Sequence, residues 1–184
     1  MSQDDSIINE ICSVAKQYAT AVSFGFIEKT ETCFYSSQIT IGSDGRVIDL
    51  YRRVSPGWKE PFAPDIYCEG KGFHTFSFMG RDLLVGLCGD LWFDKNIDQV
   101  KQLRPDVVLW PVYTDFNFNE WNNSVKYEYA SQANKFCDTV LYVNSFCIDK
   151  EGDEFTKGGS ALFRNGNISQ EIPSGSEGIL LVEI

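Results

Sequence analysis

Three apolar runs constrain this chain most: DLLVGLC (82–88), DVVLWPV (106–112) and TVLYVNSFCI (139–148). A strand with one wet face alternates apolar and polar residues, and these runs do not. Each therefore reads as a buried strand. Residues 94–103 read as a short helix and 121–136 as an amphipathic helix, one on each side of the 106–112 strand. Upstream, residues 4–18 place Ile7, Ile8, Ile11, Val14, Ala15 and Tyr18 at helical spacing, and AVSFGFIEK (21–29) reads as a strand. SSQITIG and RVIDLYRR form a hairpin around Ser43-Asp44-Gly45, and HTFSFMG pairs with DLLVGLC through Gly80-Arg81. SALFRNGNISQEI turns at Asn165-Gly166, and GILLVEI is a last strand. The expectation is an α+β chain whose sheets pack face to face under helices.

The chain has 184 residues, enough for one good-sized core, and reads as a single domain over 1–184. Its net charge of -10 repels phosphate backbones and anionic lipid, which argues against nucleic-acid and membrane partners. No stretch approaches the roughly 18 apolar residues of a membrane span. The start, MSQDDSIINE, is acidic and polar and does not read as a signal peptide, so the expected location is cytoplasmic. The six cysteines are Cys12, Cys33, Cys68, Cys88, Cys137 and Cys147, and their spacings fit neither a zinc ribbon nor a thioredoxin motif. They read as reduced thiols. The sequons at Asn122 and Asn167 are then chance matches.

Chemistry concentrates around LLVGLCGDLWF (83–93), where Cys88 ends an apolar strand. A thiol is a good nucleophile only where its surroundings favour the thiolate or a base takes its proton. By residue type alone, a strand-end cysteine is more often a buried structural thiol. A Cys–His site needs a histidine, and the only one, His74 in FHTF, reads as a surface residue. A carboxylate base with a fixed cation is a second route. Arg52, Arg53, Lys59 and Glu60 in LYRRVSPGWKEP supply such groups, although a solvated basic turn explains them equally well. Glu60, Asp65 and Glu69 read as solvated acids rather than a glycosidase pair, and Gly70-x-Gly72 is too short for a dinucleotide loop.

Taken in order, the segments resemble the carbon–nitrogen hydrolase (nitrilase) superfamily. VSFGFIEK, then Tyr35-Ser36 and a hairpin, resembles its second-strand region, and LYRRVSP resembles its YRK-x-x-P segment. YCEGKGFHTFSFMGRDLLVGLCGDLWF resembles its lead-in, hairpin and cysteine elbow. LRPDVVLWPVY, WNNSVKYEYASQANKFCDTVLYVNSF and KGGSALFRNGNI resemble the strand with its proline, the helix and strand ending in asparagine, and the Gly-Gly-Ser segment with the closing hairpin. The resemblance runs from about residue 8 to the C-terminus. It implies an αββα four-layer sandwich, commonly paired into homo-oligomers through its helix layers. It also implies a glutamate base, a lysine and a cysteine nucleophile acting on small amides or nitriles through a thioester, with no metal or organic cofactor. Carried over by position, the cysteine is Cys88, the lysine falls on Arg53, and a second glutamate falls on Glu60. Amides from Gly89 onward, with Asp90, Trp92 and Tyr113, fall in the substrate-binding region.

Two departures matter. The family's base glutamate lies upstream of anything that aligns, so relative to the family the chain reads as lacking an N-terminal segment, and also a C-terminal tail. Glu10 sits in a helix, and Glu28 ends a strand matching another element. Arg53 stands where the family has lysine; arginine supplies charge but not proton shuttling. Two readings stay open: a thiol-dependent hydrolase, or a non-catalytic member acting by ligand binding or assembly. Trp58, Trp92, Tyr113, Phe116 and Trp121 point to an aromatic pocket, but the substrate is not legible.

Overall fold

The computed structural model describes residues 1–2, 5–147 and 156–184. The chain divides into two compact units, Met1–Phe76 and Ser77–Ile184.

In the first unit, α1 (Ser6–Gln17) is capped by Asp5, whose side chain accepts from the Ile7 N–H. The helix starts within the expected span; Asp4, the expected first residue, lies outside the described residues. Ile8 and Ala15 are buried, and with Ile11 and Cys12 they cover Phe26, Ile39 and Ile41 of the sheet. The sheet is antiparallel, with β1 (Val22–Lys29), β2 (Phe34–Ile41) and β3 (Val47–Arg52) in sequence order. Its register sets Phe24 opposite Ile39 and Ile39 opposite Leu50, so one apolar face forms under the helix. The β2–β3 turn needs Gly45: its φ is +80°, and a Cβ there would press on the Cys12 carbonyl.

The alternation of side chains along β3 sends its two terminal arginine neighbours apart. Arg52 donates through Nε and Nη2 to both oxygens of Glu28, each at 2.7 Å. Glu28 is 1% exposed, and the Ser37 hydroxyl donates to it at 2.8 Å. The Arg52 guanidinium also lies over the Tyr35 ring, and the Glu28 hydrogen bond pushes its pKa up further.

After β3 the chain makes a long loop back to the start of β2. Phe34 donates its N–H to the Ile66 carbonyl and accepts from the Cys68 N–H, and Cys33 is disulfide-bonded to Cys68. This corrects the expectation of six reduced thiols. Pairing of residues separated by 35 positions depends on the loop's return path, which spacing alone does not show. Cys12, Cys88, Cys137 and Cys147 are free.

The second unit carries a six-stranded sheet in the order β4 to β9, with the unit boundary falling within β4 (Thr75–Phe78). The strands β5 (Arg81–Val85), β6 (Val107–Val112) and β7 (Thr139–Asn144) are parallel; β6 and β7 bury one face, while the other stays partly exposed at Leu109, Pro111, Leu141 and Val143, which corrects the expectation that these runs are buried throughout. α2 (Asp94–Leu103) joins β5 to β6. The β6–β7 connection runs through α3 (Phe118–Glu120), a π-helical turn over Trp121–Val125, and α4 (Lys126–Ala133). β8 (Ser160–Arg164) and β9 (Asn167–Ile172) follow antiparallel. Their turn is the expected Asn165-Gly166, both with positive φ. The β4–β5 turn sits one residue earlier than expected, on Met79 (φ +52°) and Gly80 (φ +77°).

Two strand expectations are corrected. β7 ends at Asn144 rather than running to Ile148, and Ile148 lies outside the described residues. GILLVEI (178–184) forms no strand. Ile179 and Leu181 are more than 80% exposed, and a β-prone segment becomes a strand only when another strand takes its hydrogen bonds.

Candidate active site

Cys88 stands where β5 gives way to a 3-10 turn over Cys88–Trp92. The approach is narrow: the Gly86 N–H donates to the Leu109 carbonyl, and a Cβ on Gly86 would lie 2.7 Å from the Leu91 side chain. Cys88 itself adopts φ +48°, in the left-handed region that costs a non-glycine residue energy. Strain of this kind persists only where the surroundings over-determine it. Here they do. The Cys88 carbonyl accepts from Trp110 Nε1 at 2.9 Å, and the half-buried Sγ donates to the Tyr113 carbonyl at 3.6 Å.

The turn is fastened from below. Asp90 is fully buried, and its carboxylate accepts from the Leu87 N–H at 3.0 Å. Gln132 donates to the Leu91 carbonyl and Asn96 to the Asp90 carbonyl. Asp90 thus shapes the turn by closing on Leu87 twice, its carboxylate accepting from the Leu87 N–H and its own N–H donating to the Leu87 carbonyl. Trp92 is partly exposed and packs edge-on against Tyr129, with ring centroids 5.0 Å apart.

Tyr113 follows the end of β6 and is 54% exposed. Its hydroxyl lies 3.8 Å from Cys147 Sγ, and that contact raises its pKa. The next residue is clamped. Asn144, at the end of β7, accepts from the Thr114 N–H and donates to both the Thr114 carbonyl and its Oγ1. The clamp holds the loop that presents the Tyr113 carbonyl to Cys88. Behind the turn, Trp110, Trp121, Tyr129 and Tyr142 form a buried aromatic cluster, so Trp121 is core rather than pocket wall. Burial, and then the nearby Cys88, raise the pKa of Tyr129, and burial raises that of Tyr142, so both phenols stay protonated at neutral pH.

The other expected site residues lie in the first unit. Arg53 is 9% exposed, and its Nε donates to the Ser55 hydroxyl at 2.9 Å. Glu60 is exposed on the loop after β3. Beside it, Lys59 pairs with Glu69 at 2.8 Å and donates to the Tyr67 carbonyl. Glu69 is therefore a structural partner, and Trp58 packs edge-on against Tyr67.

His74 pairs through Nε2 with Asp49 at 2.7 Å; Asp49 is buried and His74 is half exposed. The Asp49 hydrogen bond raises the His74 pKa, against the opposing effect of burial. With the folded value above the unfolded one of about 6.5, the stabilisation is complete below pH ~6.5 and is lost as pH rises through the folded value. Exposure limits it to under about 1 kcal/mol. The thermal midpoint of the wild type is expected to fall as pH is raised above ~6.5, and His74→Gln to remove that part of the slope.

Trp110 and Thr114 were given no role from the sequence, and Asn144 entered only as the asparagine ending a strand. The signal for Asn144 was its place at the end of a buried strand. No group of three or more His, Cys, Asp or Glu side chains able to hold a metal occurs among the described residues. No described helix is long and apolar enough to cross a membrane.

The fold agrees with comparisons to known proteins. The chain is 24% identical over 169 residues to an N-carbamoylputrescine amidase of Oryza sativa subsp. japonica, covering 88% of this chain and 55% of that protein. It is 31% identical over 120 residues to a cyanide hydratase of Gibberella baccata, covering 61% of this chain and 32% of that protein. Among solved structures, a nitrilase-superfamily amidase of Nesterenkonia AN1 superposes with a TM-score of 0.71 at 17% identity, over 94% of this chain and 64% of that one. A carbon–nitrogen hydrolase of Helicobacter pylori G27 gives 0.75 at 12% identity, over 95% and 66%. The chain therefore has the α+β fold of the nitrilase superfamily, in part, and spans about half the length of the rice enzyme. The carbon-nitrogen hydrolase family model matches residues 2–184, and the chain belongs to that family.

Proposed function

We propose that the chain hydrolyses a non-peptide carbon–nitrogen bond of a small amide or nitrile, with Cys88 as the nucleophile. The observation that carries this is the left-handed Cys88 on a turn fixed by Gly86, Asp90 and Trp110. A core thiol needs no such strain, whereas a nucleophile presented at a strand end does. A related amidase structure described as bearing the acetamide moiety of fluoroacetamide on its active-site cysteine supports the same assignment.

In this reading the Cys88 sulfur attacks the amide carbon as its proton passes to a carboxylate. Glu60 is the proposed carboxylate. The tetrahedral oxyanion is held by Arg53 and by the Gly89 amide. The carbon–nitrogen bond breaks as the amine takes up the proton, leaving a thioester on Cys88. Water, deprotonated by the same carboxylate, then releases the acid and restores the thiol. Trp92 and Tyr113, with Asp90 shaping the turn between them, border the acyl position. The reaction draws on these side chains and backbone amides, without a cofactor. We place it in the cytoplasm, in a homo-oligomer.

Ammonia release from a panel of small amides, nitriles and carbamoyl amines tests the reading. Saturable release is expected, and none above background across the panel contradicts it. Arg53→Ala is expected to lower kcat/KM by ~10²–10³-fold, as loss of an oxyanion stabiliser does. Arg53→Lys is expected to retain or raise turnover, since lysine keeps the charge and adds a titratable proton.

A further inference from the structure

The loop that carries Lys59 and Glu60 is open at its tip. Phe62 at its tip is 84% exposed and Ile66 is 47% exposed, so little apolar area holds it down. Its return is held from Tyr67 to Gly70, where Lys59 also pairs with Glu69 and the Gly70 N–H donates to the Arg53 carbonyl. There Phe34 and Tyr67 bridge and stack with ring centroids 5.4 Å apart, Cys68 donates to the Phe34 carbonyl, and Cys68 is bonded to Cys33. Cys33 is itself fixed in the β1–β2 turn, where its N–H donates to Thr30 Oγ1 and its carbonyl accepts from the Thr30 N–H. Both cysteines are half-buried rather than sealed in the core, so a thiol reagent can reach them. The neighbouring Tyr67 carbonyl takes the Lys59 ammonium, which connects the pinned end to the residue preceding Glu60.

We infer that Cys33 and Cys68 form a redox latch on the Glu60 loop, which makes the proposed hydrolase active when oxidised and slower when reduced. The inference rests on the proton-transfer role proposed for Glu60. The switching step is thiol–disulfide exchange with a dithiol reductant. The Cys33–Cys68 S–S bond breaks, two cysteine thiols form, and the reductant closes to its own disulfide. In a reducing compartment such a bond is transient and responsive rather than permanent. Segments with few buried contacts open most readily, so releasing the latch raises the open population of the loop tip.

Limited chymotrypsin digestion of the whole chain reads the latch directly, through cleavage after Phe62. Cleavage is expected to be at least ~10-fold faster in dithiothreitol than after oxidation with oxidised glutathione, since proteolysis follows the open population. The Cys33→Ser/Cys68→Ser double variant is expected to cleave at the reduced rate in both conditions. Should that variant fail to fold, the wild-type pair of measurements decides alone. Amide turnover measured beside it is expected to drop several-fold on reduction and to return on reoxidation. Equal cleavage in both conditions, or failure of Cys33 and Cys68 to pair under the oxidant, overturns the latch. Redox-sensitive cleavage with redox-insensitive turnover overturns its control of activity. Redox-sensitive cleavage with no turnover in either state upholds the latch and overturns the hydrolase reading instead.

Discussion

Replacing Cys88 by alanine is expected to abolish amide or nitrile turnover, by at least ~10³-fold, with little change in stability. Removing a nucleophile eliminates the covalent route, and what survives is the weak residual effect of binding and oxyanion contacts. The small stability cost follows from the site. Cys88 is half-buried, its Sγ makes one long contact to the Tyr113 carbonyl, and alanine accepts φ +48° no worse than cysteine does. Kinetics and a thermal melt on the same preparation check both halves. A variant that loses activity and stability together indicates a structural thiol. One that keeps its activity removes Cys88 from the mechanism.

The largest effect on stability is expected at Arg52, not at the neighbouring arginine. Arg52→Ala leaves the Glu28 carboxylate, 1% exposed, without its bidentate cation. Stranding one member of a buried pair typically costs about 3–5 kcal/mol, because the remaining charge stays out of water. Ser37 offsets part of this through its hydrogen bond. Glu28→Gln is expected to cost less, since the half-buried Arg52 recovers water and the Gln amide still accepts. Urea unfolding of the two variants gives the comparison. Equal, small losses would show that the pair contributes no more than a surface bridge.

These arginines also show what the sequence does and does not disclose. Read as a string, LYRRVSPGWKEP is one basic segment. Folded, the strand's period of two turns Arg52 toward Glu28 while Arg53 reaches Ser55, so adjacent residues acquire separate jobs. The run DVVLWPV was legible as a strand inside a parallel sheet, although Leu109 and Pro111 on one of its faces stay partly exposed, and α2 matched its expected span. Cys88 was legible through its place after such a run. Its left-handed backbone was not, because that depends on Leu91 packing over Gly86 and Trp110 reaching the Cys88 carbonyl. Nor was the Asn144 clamp on Thr114, which joins strand ends 30 residues apart. GILLVEI was misread because β-propensity describes a fit to a partner strand, and that segment has none among the described residues. The Cys33–Cys68 bond was missed for a related reason: a long loop brings its ends together, and composition says nothing of where.

In the proposed mechanism Cys88 is the covalent nucleophile. Stoichiometric labelling with a haloacetamide, an electrophile shaped like the proposed substrate, tests it most directly when peptide mass spectrometry is read against residual turnover. Cys12, Cys137 and Cys147 serve as internal reference thiols. Cys88 is expected to label first, with activity falling in proportion to Cys88 occupancy and a small amide substrate slowing both equally. Full modification of Cys88 with turnover intact would contradict this mechanism.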